Sequence, residues 1–246
     1  MPSSVAELRA LVERRWHGAI AHAGAAVQRG SPTGMPALDA LLGPRGVPKG
    51  QLTEIFGSSS SGKTTLALAL LAACTREGGI GAYIDPALSL FAPVAAGAGI
   101  DLRRIIVVRP RDEAAARRAV DALVRGGACG VVALDCGDWP HVLQTHHCAR
   151  LVAQAEKTGT VLLVISGGSN AALASFASLR LRAHGLAPLW QDGSDGGRRL
   201  QGCVATIDVA KARSTSPGRS VSFEAAIPDV AGTYVTSELA LGTLHL

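Results

Sequence analysis

The stretch Gly57-Ser58-Ser59-Ser60-Ser61-Gly62-Lys63-Thr64-Thr65 has residue types and spacing suited to chemistry, and its first eight residues match G-x-x-x-x-G-K-[ST] in full. Glycines let the backbone curl until successive N–H groups point inward at phosphate oxygens. A helix starting near Lys63 adds the positive end of its dipole. Lys63 is placed to reach the outer phosphates of a nucleotide, and the Thr64 hydroxyl is a hard oxygen ligand for Mg2+. Further along, G-V-V-A-L-D closes on Asp135, an acid expected to hold Mg2+ through a water. The expected metal pair is therefore Thr64 and Asp135. Cys136, Asp138, His141, His146, His147 and Cys148 are also close in sequence, but their spacing fits no common zinc pattern and reads as a polar loop running into a helix.

These residues need a strand before the loop and a helix after it. Gln51–Phe56 is a short β-rich run, and Lys63–Arg76 is rich in Ala and Leu. Strands are expected at Ile80–Ile84, Ile105–Arg109, Gly130–Asp135 and Val161–Ser166, with helices at 37–42, Asp112–Arg125 and His141–Thr158. This β–α alternation predicts an α/β fold with a mostly parallel sheet covered by helices. After about Leu179 the pattern changes to L-R-L-R-A, A-P-L-W-Q, C-V-A-T-I-D and V-S-F-E-A, which read as antiparallel strands separated by turns. At the other end, Ser4 and Glu7 form a capping box, and Val5, Leu8, Val12, Trp16 and Ile20 form one apolar stripe. The expected organisation is an N-terminal amphipathic helix at 1–30, a core at 31–227 and a tail at 228–246.

The chain has 246 residues, 48% hydrophobic and 17% charged, which excludes wholesale disorder. Its net charge of +5 permits an anionic partner without demanding one. The start is polar and quickly charged, and the most apolar run, Leu66–Ala73, is too short to span a bilayer. Five cysteines without C-x-x-C spacing read as reduced thiols in a cytoplasmic protein.

A family resemblance emerges from these segments taken in order. T-G-M-P-A-L-D-A-L-L-G, G-V-P-K-G-Q-L-T-E-I-F-G-S-S-S-S-G-K-T-T-L-A-L, R-E-G-G-I-G-A-Y-I-D, G-V-V-A-L-D, F-A-S-L-R-L-R and D-V-A-K-A-R resemble the core of RecA, the bacterial recombinase, across residues 33–226. The resemblance implies a twisted sheet with flanking helices, ATP and Mg2+ at the phosphate loop, and head-to-tail assembly of copies. It also puts Lys211 and Arg213 where RecA has two lysines that reach the neighbour's γ-phosphate. The same pair reads equally as two cations at a surface strand end.

The departures from that pattern bear on function. Ala87 stands where the resemblance expects the glutamate that activates water, and a methyl group cannot take a proton. By the same resemblance the adenine-stacking tyrosine falls near Val94, and Gly167 stands where the glutamine that senses the γ-phosphate is expected. The two loops that hold single-stranded DNA in RecA are short here and contain Trp139 but no Lys or Arg. Weak or no direct DNA binding is therefore expected. A RecA-like core with an intact phosphate loop and these losses is similar to the ImuA-type subunits of the bacterial inducible mutasome. That resemblance implies damage-induced translesion synthesis through contacts with RecA and with mutasome polymerase subunits, including a Y-family polymerase homologue. Two other readings stay open. One is an active recombinase paralogue whose base is Asp85 or Asp138. The other is a cell-division inhibitor of the SulA class, against which the intact phosphate loop argues.

Overall fold

The computed structural model describes residues 30–226, apart from 44–45, 138, 169, 193–196 and 213–216. Residues 1–29 of the helix expected over 1–30, Asp138, Arg213 and the tail over 228–246 fall outside the described residues, and Gly30 belongs to a strand instead of that helix. In chain order the elements are β1 (Gly30–Ser31), α1 (Pro36–Leu42), β2 (Val47–Pro48), β3 (Leu52–Phe56), α2 (Lys63–Arg76), β4 (Ile80–Ile84), α3 (Ala92–Gly97) and β5 (Ile105–Val108). They continue with α4 (Glu113–Gly126), β6 (Cys129–Asp135), α5 (Thr145–Thr158), β7 (Val161–Ser166), α6 (Ala171–Phe176), β8 (Leu179–Asp192), β9 (Arg198–Ala212) and β10 (Ser220–Ala226).

Eight strands form one sheet in the order β10-β9-β8-β3-β7-β6-β4-β5. The six from β8 to β5 run parallel, and β9 and β10 are added antiparallel at one edge. The fold class is thus the expected one. Both sheet faces are covered, so the central strands are continuous apolar runs such as V-L-L-V-I-S, in which all six residues are buried. One face packs Ile55, Tyr83, Ala133, Leu163 and Ile165 against α1, α2 and α3. The other packs Leu52, Ile84, Leu134, Leu162 and Val164 against α4, α5 and α6. The α2 helix lies so deep in its layer that nine of its fourteen residues are buried.

Local signals explain most boundaries. The Asp112 carboxylate accepts the Ala115 N–H at 2.6 Å and starts α4, which ends on Gly127 at φ +67°. The helix expected from His141 begins instead at Thr145. Gln144 caps it: its N–H donates to His147 Nδ1 at 3.2 Å while its side chain accepts from the His147 backbone. Residues 139–143 form turns before it, with the Val142 N–H on the Trp139 carbonyl. The expected strands L-R-L-R-A and A-P-L-W-Q are one strand, β8, whose ladder with β9 absorbs irregularities at 180/181, 184/187 and 189/190. No helix among the described residues is long and apolar enough to cross a membrane.

Candidate functional site, a phosphate loop

The loop of residues 57–62 joins the central strand β3 to the N-terminus of α2. Two glycines fix its path. A Cβ built on Gly57 would lie 2.1 Å from the Ala183 carbonyl oxygen of β8, so no larger residue fits without moving the sheet. Gly62 caps α2 at φ +91°, a backbone that side chains rarely adopt, and its Cβ would press on Ala205 at 2.9 Å. Ser60 also sits at φ +55°, a strained conformation of the kind that clusters at ligand-binding loops. Gly57→Ala should therefore lower the melting temperature by about 5 °C, from a clash of about 2 kcal/mol in a domain of this size. A calorimetric scan checks it, and an unchanged melt would mean that the loop yields.

Lys63 opens α2 and bends back over the loop. Its Nζ donates to the Gly57 carbonyl at 2.9 Å and to the Ser58 carbonyl. Burial lowers the pKa of this ammonium, and the negative charge of Asp135 opposes that shift. Thr64 follows in the first helical turn. Ser61 is 3% exposed, and its Oγ has no hydrogen-bond partner among the described residues. An orphaned hydroxyl in a loop of inward-curled backbone suits a phosphate oxygen.

Asp135 ends β6, one strand beyond β7 from the loop strand. Its Oδ1 accepts the Gly137 N–H at 3.0 Å, and its Oδ2 accepts the phenol of Tyr83 at 2.9 Å. The structure thus brings Lys63, Thr64 and Asp135 to one end of the sheet. Thr64 and Asp135 supply the oxygen donors that a magnesium site uses. Burial, then the Asp135 charge and hydrogen bond, push the Tyr83 phenol well up, while a hydrogen bond with the Thr64 side chain acts the other way.

Other expected residues separate from this group. Lys211 Nζ donates to the carbonyls of Ala174 at 2.9 Å and Ser175 at 3.1 Å, on the last turn of α6. This is the structural use of a cation at a helix end. Asp85, the alternative base, is fully buried. It accepts the Ser89 N–H at 2.9 Å, the Ser89 hydroxyl at 3.2 Å and the Leu90 N–H at 3.0 Å, with Arg109 Nε 3.7 Å away. Its oxygens hold the turn after β4. Ala87 is exposed beside the loop after Asp135: a Cβ built on Gly137 would lie 3.5 Å from the Ala87 methyl. Val94 and Trp139 pack against the two cores. Cys136 and Cys148 are buried, and among the described residues no group of three or more His, Cys, Asp or Glu is placed to hold a metal.

Two features escaped sequence reading. One is Tyr83, a hydroxyl in an otherwise apolar strand. The other is a buried cluster under the loop, in which Glu54 Oε1 accepts the Ser166 hydroxyl at 2.6 Å and Glu54 Oε2 accepts Arg180 Nε at 2.5 Å. An acid in mid-strand was the available signal, because a buried charge requires a partner.

A phosphate loop between the central strand of a parallel sheet and its helix, with an acid ending a nearby strand, defines the P-loop class of α/β proteins. Comparison with known proteins narrows this. The family described as RecA N-terminal domain matches residues 16–138, half of the chain, and the chain belongs to the RecA family. It is 33% identical to Protein RecA of Chlorobium chlorochromatii (strain CaD3), covering 78% of this chain and 62% of that protein. It is 44% identical to Protein RecA of Bifidobacterium breve over 104 residues, covering 42% of this chain and 26% of that protein. The chain thus spans less than two thirds of these curated relatives. A solved structure, the RadB recombinase, shares the fold with a TM-score of 0.59 at 21% identity, covering 79% of this chain and 95% of that one.

Proposed function

We propose that this RecA-family chain binds ATP with Mg2+ at its phosphate loop. It works as an adaptor in a DNA-damage-inducible translesion synthesis complex through contacts with RecA and a Y-family polymerase homologue. The observation that carries the reading is Ala87. Its methyl group lies beside the loop that follows Asp135, and the resemblance to RecA expects at this position a carboxylate that activates water. The phosphate loop itself keeps every residue of its pattern. Asp85 does not substitute, since its oxygens are committed to the turn of residues 85–90. Gly167, at the end of β7, has no side chain with which to sense a γ-phosphate, although there is open space for one. A loop that holds nucleotide and barely turns it over suits a conformational or assembly role.

The test is a pull-down with the purified chain as bait. The separate preys are RecA, the Y-family polymerase homologue, the error-prone replicative-type polymerase and the cell-division tubulin homologue of the same organism. Retention of RecA and the polymerase homologue is expected. Retention of the tubulin homologue alone would favour a division inhibitor. Brisk ATP turnover stimulated by single-stranded DNA would sink the adaptor reading in favour of a recombinase paralogue.

A further inference from the structure

We infer that Tyr83 weakens the divalent-cation site of this phosphate loop by holding Asp135, so that Mg2+ joins the bound nucleotide only at raised concentration. The inference rests on the nucleotide-binding reading above and concerns a residue outside the loop pattern. Tyr83 pairs with Ala133 in the parallel register of β4 and β6. Asp135 lies two residues beyond Ala133, so its side chain leaves the sheet on the same face as Tyr83, the face covered by α2. The residue is fully buried, and its hydroxyl reaches the acid that ends β6. There it donates to Asp135 Oδ2 at 2.9 Å and meets the Thr64 side chain.

The phenol therefore stands between the two residues expected to share a cation. A carboxylate with one oxygen on the Gly137 N–H and the other on Tyr83 O–H has fewer lone pairs left for a metal-bound water. Each such bond also withdraws charge from the acid. A buried phenol needs a partner, so the hydroxyl holds Asp135 rather than turning to water. Phenylalanine would fill the same space without that competition.

The experiment compares the wild-type chain with Tyr83→Phe, using a fluorescent methylanthraniloyl-ATP as probe and titrating MgCl2 from an EDTA-buffered start. A hydrogen bond to a charged group is strong enough that Tyr83→Phe should lower the Mg2+ midpoint roughly tenfold. The affinity in EDTA and the melting temperature should stay near wild type. Mn2+ titrated into the protein with ADP, followed by its EPR signal, should show the same shift. An equal or higher midpoint in Tyr83→Phe would overturn the inference, as would a change of the same size in EDTA. Failure of the wild-type chain to bind the probe with or without Mg2+ is a separate result: it removes the nucleotide reading, and this inference with it.

Discussion

Lys63→Ala should abolish nucleotide binding in practice while leaving the fold standing. The expected loss is about 100-fold in affinity, or about 3 kcal/mol, the scale of charged hydrogen bonds to phosphate. The ammonium sits at the N-terminus of α2, where the helix dipole, loop N–H groups and lysine all favour the same anion. Partial burial strengthens it, because a half-desolvated cation interacts through a lower dielectric than one in water. Its bonds in the protein, to the carbonyls of Gly57 and Ser58, stay within the loop, and it belongs to neither apolar core. The melting temperature should accordingly move by no more than a degree or two, a loss well under 1 kcal/mol. Isothermal titration with ATP beside a thermal melt separates the two effects. An affinity change below about threefold would mean that backbone N–H groups alone hold the phosphates.

The contrast between this lysine and the rest of the site shows what a linear sequence carries. The phosphate loop was legible because its chemistry is local: backbone curl, helix start, lysine and threonine are set within nine residues. The central strands were legible because burial on both faces leaves long apolar runs, as in V-L-L-V-I-S. The α5 start was misread, since the apolar and histidine-rich stretch after Pro140 gives no hint that Gln144 and His147 form a reciprocal cap. The β8 strand reads as two segments with His184-Gly185-Leu186 between them, whereas the β8–β9 ladder continues across that gap with irregular register. Asp135 was found as a strand-end acid, but its bond to Tyr83 spans 52 residues and depends on the β4–β6 register. Lys211 reads in the sequence both as a cation that reaches a neighbour's nucleotide and as a cation at a surface strand end. Its attachment to the last turn of α6 is likewise a matter of packing between distant elements.

The buried cluster under the loop is the hardest case to read and has the largest expected effect on stability. Arg180→Met should cost about 3–5 kcal/mol, the usual result of leaving a buried charge without its partner. In a domain of this size that lowers the melting temperature by about 10 °C or more. Glu54 is fully buried in β3, while the Arg180 side chain on β8 keeps 17% of its surface exposed. The two residues are therefore not equivalent. Without the arginine, the carboxylate keeps only the Ser166 hydroxyl and cannot reach water. With Glu54→Gln instead, the arginine retains its face over the Phe56 ring, 4.4 Å from the centroid, and turns its free edge to solvent. Glu54→Gln should cost roughly half as much as Arg180→Met, about 2 kcal/mol. Replacing both residues by apolar ones of similar volume should recover most of the loss, because the desolvation penalty disappears with the charges. The coupling bears on the site. Ser166 Oγ also accepts the Gly168 N–H, and a Cβ on Gly168 would lie 2.6 Å from the Phe56 ring that leads into the phosphate loop. Chemical denaturation of the two single variants and the double measures the interaction. Equal costs for the two singles would rule out the asymmetry. A double variant no more stable than Arg180→Met would show that the ion pair is itself net stabilising across β3 and β8.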